Sequence, residues 1–191
     1  MKRFLLAVFV ILAPAFKLFA GGSRADSTYH WRLSTNICDW AMLATINGEA
    51  EYCLTEHTSL LAGIKYNPFT YCKGTENQTC FRQATPYLGS RYWFSDTGRG
   101  WYAGGKILAS VFNISSSLFG CYYEGELVGA GLNAGYSWRL SLHRHLSFGC
   151  GFLAAAHKTT RFAGPVCGRI LDSRKGFILL PDLSLTIGFS L

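Results

Sequence analysis

The chain has 191 residues, a formal net charge of +7, and is 49% hydrophobic and 15% aromatic with 21 glycines. That length suits one domain. No stretch after residue 25 approaches the roughly 18 apolar residues of a membrane helix, and no clustered basic face of the kind a nucleic-acid partner requires is evident.

The first stretch, "MKRFLLAVFVILAPAFKLFAGGSRA", has a basic start at Lys2 and Arg3, an apolar run from Phe4 to Phe16, and small residues at Ala20 and Ala25 where cleavage fits. It predicts a secretory signal peptide over residues 1–25, followed by a single domain over 26–191. An amphipathic helix is ruled out because the run is apolar on all sides. Lys2, Arg3, Lys17 and Arg24 lie within the signal; without them 14 basic residues face 11 acidic ones, a net +3. The basicity of the chain is therefore largely a targeting feature.

Eight segments of two-residue period follow. "WRLSTNICDWAM" sets Leu33, Thr35 and Ile37 against Arg32, Ser34 and Asn36. "EAEYCL" sets Ala50, Tyr52 and Leu54 against Glu49, Glu51 and Cys53. "SLLAGIKY" puts Leu60, Ala62, Ile64 and Tyr66 opposite Lys65. "QATPYLGSRYWF" opposes Leu88, Tyr92 and Phe94 to Gln83, Thr85 and Arg91. "WYAGGKILASVF" opposes Trp101, Ala103, Ile107, Ala109 and Val111 to Lys106 and Ser110. "ELVGAGLNAGYSW" sets Val128, Ala130, Leu132, Ala134, Tyr136 and Trp138 against Asn133, Ser137 and Arg139. "LSFGCGFLAAAH" carries Leu146, Phe148, Phe152 and Ala154 on one side. "GFILLPDLSLTIGFSL" alternates Phe177, Leu179, Pro181, Leu183, Leu185, Ile187, Phe189 and Leu191 with Asp182, Ser184, Thr186, Gly188 and Ser190.

Connections after the second, fourth and sixth segments are short; those after the third, fifth and seventh are long and polar. Short turns at one rim and long loops at the other are the pattern of a transmembrane barrel. The expected fold is all-β: an eight-stranded antiparallel up-and-down transmembrane β-barrel. The aromatics fit two interfacial girdles. Trp31, Trp93, Trp101 and Trp138 fall at one rim and Trp40 at the other, joined by Tyr66, Phe94, Tyr102 and Tyr136. The eighth segment is expected to close the barrel against the first, which removes an aggregation-prone edge. Its alternate apolar residues, Phe189 among them, resemble the signal read by the outer-membrane barrel assembly machinery; Leu191 stands where that signal usually ends in an aromatic ring.

"STNICDWAM", "GEAEYCL", "GIKYNPF", "PYLGSRYWF", "GWYAGGKILAS" and "LVGAGLNAGYSWRLS" resemble an uncharacterised family of small outer-membrane proteins of the Bacteroidota, a domain of unknown function, with "YNPF" and "RYWF" the most specific stretches. The resemblance implies a fold and an outer-membrane location, with no established activity. The cysteines, notably "CKGTENQTC", depart from it.

Arg32, Glu49, Glu51, Lys65, Arg91, Lys106, Arg139 and Asp182 share the inward phase. An eight-stranded barrel is filled by its inward side chains, and buried charges need partners, so a lumen ion-pair network is expected in preference to a proton or ion path. His57 and Ser59 form an H-x-S pair like that of outer-membrane lipid deacylases, but at the wrong rim. His143 and His145 lack a third metal ligand, and His157 is isolated. Seven cysteines are an odd number. Cys72–Cys80 and Cys121–Cys167 are candidate loop disulfides, Cys38 and Cys53 share a phase on neighbouring strands, and Cys150 faces lipid. "NQT" and "NIS" match a eukaryotic glycosylation pattern that carries no weight in a bacterial envelope. No cofactor, metal or nucleic acid is expected. The expected partners are outer-membrane lipid, the assembly machinery during biogenesis, and an extracellular ligand met through the external loops. The expected role is structural or surface-interacting, with a packed lumen. The alternatives are a lipid-modifying enzyme and a soluble exported barrel holding a small apolar ligand.

Overall fold

The computed structural model describes residues 30–41, 44–75, 78–95, 97–116, 121–163 and 168–191; the expected signal peptide and Cys167 lie outside them. The elements are β1 (Trp31–Asn36), α1 (Ile37–Ala41), β2 (Ile46–Cys53), β3 (Thr58–Asn67), β4 (Thr70–Tyr71), β5 (Thr79–Trp93), β6 (Gly100–Ser116), β7 (Cys121–Arg139), β8 (Arg144–Ala163) and β9 (Ile170–Ser190). Nine strands form one antiparallel, up-and-down sheet in the order β3-β2-β1-β9-β8-β7-β6-β5-β4. Because β3 also pairs with β5, the sheet returns on itself as a ring, and β4 is a two-residue spur on β5. The last expected segment does pair with the first, from Arg32↔Ser190 to Asn36↔Thr186.

Alternation places side chains inside or outside the ring. On β9 Phe177, Leu179, Leu183, Ile187 and Phe189 are exposed on the outer face, while Thr186 and Gly188 are buried inside. The same rule runs through β7, where Val128, Leu132 and Trp138 face out and Gly135 and Ser137 are buried.

Two elements differ from the sequence expectation. The first segment stops being a strand at Asn36 and becomes α1. Asn36 caps that helix: its Oδ1 accepts the backbone N–H of Cys38 at 3.2 Å, and Asp39 occupies the first turn, where the helix dipole favours an acid. Asn47 clamps the end of β1, accepting the Asn36 N–H at 2.6 Å and donating to the Asn36 carbonyl at 2.9 Å. The long connections are also partly strand. β7 begins at Cys121, β8 runs to Ala163 and β9 starts at Ile170, so Cys121 is a strand residue. Their polar residues on both faces read as loop because no apolar surroundings impose alternation there.

Interior glycines make room for aromatic rings. A Cβ on Gly63 would strike the ring of Tyr87, its cross-strand partner, and one on Gly135 or Gly149 would meet the Tyr102 hydroxyl. Tyr102 is thus an interior residue, buried, and not part of an outer girdle.

Candidate functional site

The polar interior gathers most of the charges expected there. At the end of the short turns, the Glu51 carboxylate accepts from Arg32 at 3.2 Å and Arg91 at 2.8 Å, and also from the Ser59 hydroxyl. Arg91 uses its other terminal nitrogen on Glu49 at 2.8 Å, whose second oxygen accepts from Tyr87 Oη at 3.0 Å. Arg32 reaches Ser137 on β7 across the ring at 3.4 Å. Both guanidinium groups lie over aromatic faces, Arg32 on Trp93 and Arg91 on Tyr102, each 5.1 Å from the ring centre. Strands β1, β2, β3, β5 and β7 thus contribute to one hydrogen-bonded plug.

Further along, Lys106 on β6 bonds Asp182 on β9 at 2.7 Å, spanning the interior between strands that are not neighbours. Lys65 bonds Asp39 of α1 at 2.8 Å. Asp39 was not singled out from the sequence, because "CDWA" read as strand; its spacing from the capping Asn36 is the signal that marks it. Between these pairs lies a cavity of about 30 Å³, lined in part by Asn36, Asn47, Tyr87 and Asn133. It has room for water and little else.

Several expected placements are corrected. Arg139 has the inward phase but sits exposed at the strand end, and among the described residues it makes no ion pair. Trp93 is completely buried in the interior and donates its indole N–H to Ser59 Oγ at 3.0 Å. Two-residue alternation puts it on the side of Arg91, while Tyr92 and Phe94 take the outer face. Trp31, Trp101 and Trp138 do lie exposed on the outer face at the short-turn end, and Trp40 is exposed at the other end, donating to Thr35 Oγ1 at 2.8 Å. Trp101 stacks edge-on against Tyr136, whose ring neighbours Trp138 at 4.9 Å.

Cys72 and Cys80 are both free thiols, so that loop is not bridged. Cys80 is buried with its sulfur 3.4 Å from the Asn113 carbonyl. Cys121 is also free, its sulfur 3.1 and 3.0 Å from two nitrogens of Arg161; the pairing with Cys167 falls outside the described residues. Cys38 lies in α1 and Cys53 at the opposite end of the ring beside His30, so their shared phase does not bring them together. His57 bonds the carbonyls of Trp93 and Ser95, whereas Ser59 points inward to Glu51; they form no nucleophile–base pair. His143 is exposed and His145 buried.

This chemistry holds a ring shut. Among the described residues no three metal-ligating side chains converge. The molecule is an all-β antiparallel ring with a charged, filled interior. It belongs to a family described as proteins of unknown function (DUF3575), whose match covers residues 8–190. No curated protein and no solved structure matches the chain.

Proposed function

We propose that this protein is an outer-membrane β-barrel of a Bacteroidota-type envelope, closed to passage, that anchors and displays its outer segments at the cell surface. One observation carries the reading: the outward face is a continuous uncharged band. On β7 it runs from Val128 to Trp138, on β8 from Leu146 to Ala156, and on β9 from Phe177 to Phe189, with no charged side chain facing out between those limits. The band ends on a level row, Glu126 opposite Lys158 opposite Lys175. Val128 to Trp138 matches the roughly 9–11 residues of a tilted membrane strand, and tryptophans mark the other margin. Exposed apolar surface on this scale exceeds what soluble monomers carry.

A filled interior argues against a pore, and a cavity of about 30 Å³ is too small for the apolar ligand of a soluble barrel. The separation of His57 from Ser59 removes the support for lipid hydrolysis. What extends past the band is α1, the β4 spur and the projecting ends of β6 to β9, and these are the surfaces a partner would meet. Fractionation of expressing cells, followed by gels of unboiled and boiled protein, tests the reading. The expected result is recovery in the outer membrane and a mobility shift only on boiling. A soluble periplasmic protein with no shift overturns it.

A further inference from the structure

Lys158 and Lys175 stand directly opposite each other on β8 and β9, both exposed on the outer face. Like charges placed this way repel. Among the described residues neither forms an ion pair, although Glu126 sits opposite Lys158 on β7. Of the other charges on these projecting strand ends, Arg161 is turned to Cys121 and Arg174 is paired with Asp172, while Glu124 is exposed on the outer face of β7 one step further out, opposite Thr160. Immediately below the two ammonium groups the surface is apolar and uneven. Phe177, 88% exposed, projects beside Lys175, while its cross-strand partner Ala156 and then Ala154 leave a shallow floor on β8 that ends at Phe152. Charge above and an apolar slot below is the profile of one kind of ligand.

We infer that Lys158 and Lys175 together bind the phosphate of an outer-leaflet lipid whose acyl chain lies along Ala156 and Ala154 against Phe177. This rests on the barrel reading above, which puts the row at the outer boundary of the hydrocarbon. The anion relieves the repulsion between the lysines, and basic groups at a membrane surface attract anionic headgroups. A phosphomonoester suits the pair, having oxygens for two ammonium donors.

The test uses the full mature protein in a non-ionic detergent, with native mass spectrometry counting adducts of phosphatidic acid and of phosphatidylcholine at equal concentration. The expected wild-type result is preferential retention of phosphatidic acid. K158Q/K175Q is expected to lower that retention about tenfold or more, with K158R/K175R retaining it and inorganic phosphate failing to compete. Unchanged retention in K158Q/K175Q overturns the inference, and so does full displacement by inorganic phosphate, which would mark a site for a free anion. Boiled and unboiled gels of each variant separate the two claims. Loss of the shift in the wild type removes the barrel reading itself, while an intact shift with unchanged retention removes only the lipid site.

Discussion

Glu51 is the residue on which the interior plug depends. It has a serine hydroxyl and two guanidinium groups on one carboxylate, and it is almost wholly buried. Removing one member of such a cluster leaves uncompensated charge, which costs more than the cluster itself contributes. Glu51→Ala is expected to destabilise the protein by about 3–5 kcal/mol, read as a lower urea midpoint for loss of the unboiled gel band, with Glu51→Gln costing less. A wild-type midpoint would mean that water solvates Arg32 and Arg91 in place. Gly63 offers a second case, because the atoms a new Cβ would meet there all belong to Tyr87. Gly63→Ala should cost about 1–3 kcal/mol by overpacking, and little in a Tyr87→Ala background; additive costs would show that the glycine is needed for its backbone instead. The charged residues of this interior were legible because each sits in phase with its neighbours along a strand. For Trp93 and Tyr102 phase decides over ring type: in "SRYWF", Arg91 assigns Trp93 to the inside, although an indole ring near a strand end suits an outer girdle equally well.

At the scale of the element, the junction of β1, α1 and β9 is where the ring departs from uniform pairing. β1 ends at Asn36, and β9 continues toward Ile170 with no strand paired against it on that side among the described residues. The side chain of Asn36 closes the gap. Its Oδ1 accepts the N–H of Leu185 at 2.9 Å, and its amide nitrogen donates to Asp39 at 3.0 Å. Pro181 fits the same edge. Counting by twos from Leu191, whose N–H bonds the Trp31 carbonyl at 2.8 Å, position 181 directs its backbone nitrogen to the unpaired side. Proline there leaves no orphan donor, which is why an otherwise sheet-breaking residue is tolerated. Asn36→Ala is expected to speed amide exchange at Cys38 and Leu185 while leaving the β7–β8 ladder protected. Uniform exchange changes across the sheet would instead show that Asn36 holds the whole ring. The strands with an apolar outer face were readable from alternation alone. The short helix was not, because its five residues carry too little periodicity, and the outer halves of β7 to β9 were not, because polar and charged residues such as Glu124, Glu126, Lys158 and Lys175 interrupt their outward faces.

For the whole molecule, the band makes a prediction about depth that no soluble fold shares. On β7 the outward positions climb from Trp138 at one margin through Leu132, 76% exposed, to Val128 and then to Glu126 and Glu124 beyond the other margin. A charge on the outer face of a barrel costs about 2–4 kcal/mol at the bilayer midplane and falls to about 0–1 near the interfaces. Leu132→Arg should therefore be the most damaging, Val128→Arg intermediate, and Glu124→Arg close to neutral, measured as unfolding midpoints in lipid vesicles and as the fraction recovered in the outer membrane. The interior does not change along this series, so packing cannot produce the gradient. A soluble ring would respond in the opposite sense, because replacing exposed leucine by arginine there lowers aggregation and leaves stability nearly level with position. The order of the three variants, more than the size of any one loss, thus reports which solvent the outer face was built to meet.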